Sequence, residues 1–242
     1  MQGKALWLSV SPHLRRFDQR LHQLLANTIT LYEWEYQQTV DEPCSMETAL
    51  ALLHDYLTQQ SEPMHLLGHG MSGIIGLLYA HRYPEQVASL TLLSVGANPN
   101  VNWHSHYYAL RNLLPCPRSM VLIQISRLLF GPYPASVLQS VARMLEQDLD
   151  QGLALHSLAQ HQTLQAQPVA TPLLVCQGEH DVILDPNTQM QWKQWLKGGD
   201  LLWQCPGGRH FFHYDYPYLV AQTITAYWQS LYQDVPALAK AS

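Results

Sequence analysis

The sequence predicts an α/β fold: a mostly parallel sheet of about six strands flanked by helices and interrupted once by a helical insertion. Three observations carry this. Short apolar segments rich in β-branched and aromatic residues alternate with helical segments over residues 5–95 and again over 171–232, the pattern of a parallel sheet covered on both faces. The alternation lapses over residues 98–167, which read as successive helices. Residues 64–80 run from an apolar strand through Gly68, His69, Gly70, Met71, Ser72 and Gly73 into an apolar helix, so the turn carries little side-chain bulk. The chain therefore divides into a core, residues 1–97 and 168–242, and a helical insertion, residues 98–167.

Each element has a local reason. Ala5, Leu6, Trp7, Leu8 and Val10 make a first strand that Pro12 ends. Phe17, Leu21, Leu24 and Leu25 share one face of a helix over residues 15–25. Ile29, Leu31, Tyr32, Trp34 and Tyr36 mark a second strand over residues 29–36. Ser45 is placed to cap a helix that runs to about residue 59. The third strand, residues 64–67, enters the glycine turn at 68–73, and the helix beyond it stops at Tyr83 and Pro84. Residues 87–95 are the fourth strand. In the insertion, residues 103–114, 119–130 and 135–149 read as helices punctuated by Pro115, Pro117, Gly131, Pro132 and Pro134. Val137, Leu138, Val141, Met144, Leu145 and Leu149 form one apolar stripe on the last of these helices. Strands return at 171–178 and 200–205 around a helix at 188–196, and residues 221–232 are the terminal helix.

Composition narrows the function classes. Hydrophobic residues make up 47% of the chain and charged residues only 13%, against roughly 25% charged in an ordinary soluble domain. A net charge of −5 without a basic run argues against nucleic acid as a partner. Cys44, Cys116, Cys176 and Cys205 show no metal-binding spacing and read as reduced thiols, which points to the cytoplasm. There is no signal-peptide pattern, and no apolar run approaches the ~20 residues of a membrane span. His210 and His213 are poorly spaced for zinc, with no Cys or Glu beside them, so no metal and no cofactor are expected.

Three blocks resemble the α/β-hydrolase family. Residues 64–80 are similar to its nucleophile elbow, G-x-S-x-G between a strand and a helix. Gly178, Glu179, His180 and Asp181 look like its acid turn, with Asp181 at the acid. Pro206, Gly207, Gly208, Arg209, His210 and Phe211 look like its histidine loop, with His210 at the base. The order nucleophile, acid, histidine is the family's order. The resemblance covers nearly all of the chain outside the insertion, which falls where the family carries a cap. It implies an α/β-hydrolase fold entered at the family's third strand, without the leading hairpin. It also implies that Ser9, Val10, His69 and Met71 border the oxyanion site or pocket. Trp103, His106 and Tyr107 open the insertion, where they either line a pocket or pack in the core of the cap.

The resemblance has two chemical departures. Ser9, Val10, Ser11 and Pro12 replace the family's usual His-Gly pair after the first strand. Gly70 stands at the nucleophile position and has nothing to attack with. Glycine relieves a backbone strain of about 1–3 kcal/mol there, while loss of a triad serine typically costs about a millionfold in turnover. Ser72 lies two helical residues on, turned by ~200°, and reads as a packing residue. Asp181 and His210 read either as a surviving general base or as a buried pair tying two loops together. His69 reads as structural. Val121, Leu122, Ile123, Ile125, Leu128, Leu129 and Phe130 are apolar nearly all round, fit for burial or for docking a protein.

Three functional expectations follow. The first is a hydrolase-fold protein impaired for ester hydrolysis that binds a small hydrophobic ligand under the cap, or a protein through its surface. The second is a hydrolase or lyase that uses the His210 and Asp181 dyad with water. The third is a Ser-less variant of an active esterase or thioesterase, with an ester-like substrate.

Overall fold

The computed structural model describes residues 3–37, 41–42, 45–98, 100–153 and 168–233. Its strands are β1 Lys4–Ser9, β2 Thr30–Glu35, β3 Met64–His69, β4 Val87–Leu93, β5 Leu173–Gly178 and β6 Leu201–Cys205. They form one six-stranded sheet in the order β2-β1-β3-β4-β5-β6, and every neighbouring pair is parallel. The chain moves outward from β1 to β2, then crosses back to place β3 on the other side of β1. Such a reversal opens a crevice at the carboxyl ends of the strands, and the glycine turn lies there.

Burial explains the strand sequences. Every residue of β5 is buried, as are all but the last of β3, so both read as continuous apolar runs. Edge strand β2 is mostly part-exposed and carries Glu33 and Glu35, both paired with Arg15. Helix α1 Gln19–Ala26 lies with the C-terminal helix on one face of the sheet, where Trp7, Leu21, Leu25, Ile224 and Trp228 form a cluster. α2 Met46–Thr58 and α3 Met71–Arg82 cover the other face through Leu50, Leu53, Ile75 and Tyr79. Ser45 caps α2 by accepting the Thr48 amide at 3.1 Å.

Between β4 and β5 stand α4 Trp103–Leu113, α5 Arg118–Phe130 and α6 Ala135–Gln151. Asn102 and Ser105 close a reciprocal cap on α4. These helices share a cluster with Leu14, Phe17, Ile183 and Phe211, which come from the loops after β1, β5 and β6. The insertion is thereby seated on the carboxyl end of the sheet. Val121, Leu122, Ile125, Leu129 and Phe130 are buried in it, which removes them as a docking surface. Of the expected α6 stripe, Leu138, Val141 and Leu145 are buried and Val137 is exposed. Residues 154–167 and Cys44 lie outside the described residues. Cys116, Cys176 and Cys205 are free thiols.

Several boundaries differ from expectation. The helix expected over residues 15–25 is split into a 3-10 segment Pro12–Phe17 and α1. Leu14 and Phe17 pack against the inserted helices while Leu21 and Leu25 pack against the sheet, and the break at Asp18 lets one segment serve both. The helix expected over 188–196 is α7 Pro186–Gln191 followed by a 3-10 turn Trp192–Gln194. Trp192 is buried there, its indole donating to the Val95 carbonyl at 2.8 Å. A short helix, α8 Phe212–Asp215, precedes α9 Pro217–Gln233. α9 starts earlier than expected because proline suits the first turn of a helix. The glycine turn is tighter than its sequence implied: β3 continues through His69 and α3 begins at Met71. Among the described residues no single helix is long and apolar enough to cross a membrane.

Candidate active site at the strand–helix elbow

Gly70 alone makes the turn, at φ 52° and ψ −122°. A residue with a side chain holds such a backbone at a cost of about 1–3 kcal/mol. The turn also needs β3 and α3 to touch: a Cβ on Gly68 would fall 2.6 Å from the Gly73 nitrogen. A Cβ on Gly70 would meet nothing within 4 Å. The elbow keeps both its strained shape and the room for a side chain, and presents none.

Asp181 and His210 come together as the sequence implied. His210 Nδ1 donates to Asp181 Oδ2 at 2.8 Å. Asp181 Oδ1 accepts the amides of Ile183 at 2.9 Å and Leu184 at 3.1 Å. Burial pushes the Asp181 carboxyl up, but His210 and the two amides outweigh it and hold the group below the usual carboxylate range. The His210 carbonyl is gripped from two sides, by Ser94 Oγ at 2.6 Å and His69 Nε2 at 3.0 Å. Ser94 sits at φ 50°, a left-handed backbone rare outside glycine. His210 Nε2 is buried without a hydrogen-bond partner among the described residues, so this ring presents a bare lone pair.

A second buried imidazole–carboxyl pair adjoins the first. His213 Nε2 and Asp18 Oδ1 lie 2.9 Å apart, and the Trp7 indole also hydrogen-bonds Asp18. Burial raises the Asp18 carboxyl to about 7 and lowers the His213 imidazole to about 3, which seats the pair's proton on the carboxyl. His69 stands between the two pairs, its ring centre 5.2 Å from that of His210 and 4.5 Å from that of His213. Burial first, then the two neighbouring imidazoles, lower its pKa well below the ordinary value. Asp18, His213 and Ser94 were missed in the sequence. The spacing of His210 and His213 was visible, but nothing in it named Asp18, far off in the chain, as a partner.

The cavity at the elbow has a volume of about 20 Å³, room for about one water molecule. Ser9, His69 and Met71 border it, and so do Asp18 and Ser72; of the two alternatives for Trp103 the structure has both, a cavity wall and a member of the inserted helices' cluster. Val10 is not among its walls, and its amide donates to Ser72 Oγ at 3.0 Å. His106 and Tyr107 do not reach it either. His106 Nδ1 donates to the Asn102 carbonyl one turn back, and Tyr107 is buried among the inserted helices. Among the described residues no group of three His, Cys, Asp or Glu side chains is arranged to hold a metal ion.

Comparison with known proteins places this architecture. The thermophilic esterase of Thermogutta terrifontis superposes with a TM-score of 0.72 at 17% identity, over 96% of this chain and 91% of that one. The meta-cleavage product hydrolase of Pseudomonas fluorescens IP01 gives 0.69 at 11% identity, over 94% and 91%. The proline iminopeptidase of Mycobacterium smegmatis gives 0.64 at 18%, over 96% and 89%. No family model matches the chain. With its parallel sheet, elbow and acid–histidine loops, the chain has the α/β-hydrolase fold. By sequence, the chain belongs to one family with two uncharacterized proteins. One is sll0249 of Synechocystis sp., 39% identical over 226 residues, 93% of this chain and 90% of the relative. The other is alr2406 of Nostoc sp., 39% identical over 224 residues with the same coverage.

Proposed function

We propose that this chain is a hydrolase-fold protein that has lost acyl transfer and works by binding. The observation that carries the reading is Gly70, a nucleophile elbow without a nucleophile. The cavity of about 20 Å³ supports it, because an ester has no room to approach the dyad while the inserted helices are closed. The same volume weighs against a hydrophobic ligand held between sheet and insertion, and in favour of a partner on another surface. In this reading the insertion is a cap packed shut, and the Asp181–His210 pair ties the loops after β5 and β6. A panel of nitrophenyl esters from acetate to octanoate, with acyl-CoA, tests it. Rates no greater than those of the unfolded protein are expected; turnover near the ~1–10³ s⁻¹ of ordinary enzymes ends the reading.

A second reading keeps some chemistry. His210 Nε2 is an unengaged base whose partner Asp181 is fully hydrogen-bonded. With water as the attacking group, such a dyad serves hydrolysis of an activated acyl group or proton abstraction in a lyase. Any activity found must then fall on replacing His210 by Ala. Activity indifferent to that change removes this reading.

A further inference from the structure

A cavity of about 610 Å³ opens at the other end of the sheet, where the strands begin. Gly3 precedes β1, Glu62 and Pro63 precede β3, His65 is the second residue of β3, and Gln229 and Tyr232 lie near the end of α9. Its volume is in the ~300–1,000 Å³ range of small-molecule sites. Open α/β sheets ordinarily bind ligands at the carboxyl ends of their strands, so the fold itself assigns nothing here.

The inner wall is a relay of three side chains. Ser89 Oγ lies 2.7 Å from His65 Nδ1, and His65 Nε2 lies 3.0 Å from Tyr232 Oη. Ser89 is fully buried, and among the described residues its hydroxyl has no other hydrogen-bond partner than His65. Ser89 therefore donates to Nδ1, which leaves the imidazole hydrogen on Nε2, donating to Tyr232. The phenolic hydrogen of Tyr232 is then left to face the cavity. Burial lowers the His65 imidazole to about 4, so the relay keeps this order at neutral pH. Gly3 leaves it undisturbed, since a Cβ there would lie 2.8 Å from Tyr232 Oη. Glu62 is the one charged side chain among the described walls of the cavity. It is close enough that its charge, after burial, helps hold the phenol above its usual pKa.

We propose that this cavity binds a small organic amine, with its ammonium on the Glu62 carboxylate, an acceptor atom on the Tyr232 hydroxyl and its carbon body against Pro63. The site is separate from the elbow and does not depend on how Gly70 is read. Titration with tyramine, followed by NMR of the His65 ring, tests it. The anionic counterpart 4-hydroxyphenylacetate is the control. Saturable tyramine binding is expected. Glu62→Gln weakens it about two- to fivefold, the effect of an exposed charge pair, and Tyr232→Phe weakens it about three- to tenfold, the effect of one hydrogen bond. Gly70→Ser leaves it unchanged. No saturable binding at about 10 mM, equal binding of the anion, or affinity unmoved by Glu62→Gln overturns the proposal. Should Tyr232→Phe fail to fold, Glu62→Gln, at an exposed loop position, still decides.

Discussion

The backbone amide of Val10 donates to the hydroxyl of Ser72 across 3.0 Å. This one bond bears on two questions about the elbow. Ser72 turns its hydroxyl to the loop after β1, where it satisfies a buried amide, as a packing residue would. The Val10 amide, which the hydrolase resemblance assigns to the oxyanion site, is already committed. Replacing Ser72 by Ala leaves that donor unpaired and should cost ~1–3 kcal/mol of stability, read as a shift in the urea midpoint. A fluorophosphonate should label neither the native protein nor the variant. Labelling that disappears with Ser72 would make it a nucleophile after all.

Gly70 gives the complementary experiment. Gly70→Ala meets no atom within 4 Å, so its whole cost is the backbone at φ 52° and ψ −122°, about 1–3 kcal/mol for a residue with a side chain. Gly70→Ser should lose a similar amount and gain little esterase activity, because the cavity has room for about one water and the Val10 amide is taken. Strong activity in a folded Gly70→Ser protein would instead identify this chain as a Ser-less copy of an active esterase.

Much of this site was legible in the sequence, and the part that was not has a physical reason. Glycines at 68, 70 and 73 and the loops carrying Asp181 and His210 declare themselves locally, since backbone geometry demands their residue types. The strands did so too, because burial on both faces leaves an apolar run such as Leu173, Leu174, Val175 and Cys176. Asp18 was hidden because a helical pattern ran straight through it, and only tertiary packing, with Leu14 and Leu21 in different clusters, breaks the helix there. His213 was hidden because its partner lies 195 positions away. The closure of the elbow cavity depends on how the inserted helices seat on Phe211 and Phe17, which side-chain periodicity does not encode.

The buried histidines predict an acid-sensitive fold with a silent pair. Burial lowers His69 well below its ordinary value and His65 to about 4. Unfolding releases both to about 6.5, so the unfolded chain binds more protons below that pH. Their contribution is complete above pH ~6.5 and is lost as pH falls from there toward the lowered folded values. Asp18 and His213 shift in opposite directions. Over pH ~4 to ~6.5 the pair holds one proton in either state, on Asp18 when folded and on His213 when unfolded, and so adds no slope. Urea melts at several pH values should show stability falling below pH ~6.5, with a smaller slope in His69→Gln. In His213→Gln the raised Asp18 carboxyl is no longer offset, so its contribution falls as pH rises from about 4 through about 7, and the gain in stability that His65 and His69 give up to pH ~6.5 should be flatter than in the native protein. An unchanged pH profile in that variant would mean Asp18 is ionised in the native fold.

The insertion contains a third imidazole–carboxyl pair, and its sign is the opposite of what a buried ion pair is usually credited with. His104 Nε2 and Asp148 Oδ2 are 3.6 Å apart, both side chains are fully buried, and neither makes a hydrogen bond among the described residues. The His104 ring stacks on Trp103 at 4.0 Å, at the elbow end of the insertion. A pair so far from hydrogen-bond distance returns little of the desolvation it costs. Removing one member still strands the other, so His104→Leu alone should destabilise by about 3–5 kcal/mol. His104→Leu with Asp148→Val leaves no polar group behind and should recover most of that loss. The difference between double and summed single effects, measured by urea unfolding, is the coupling energy. If the two losses simply add, the pair is not coupled and the inserted helices are held closed by their apolar cluster alone.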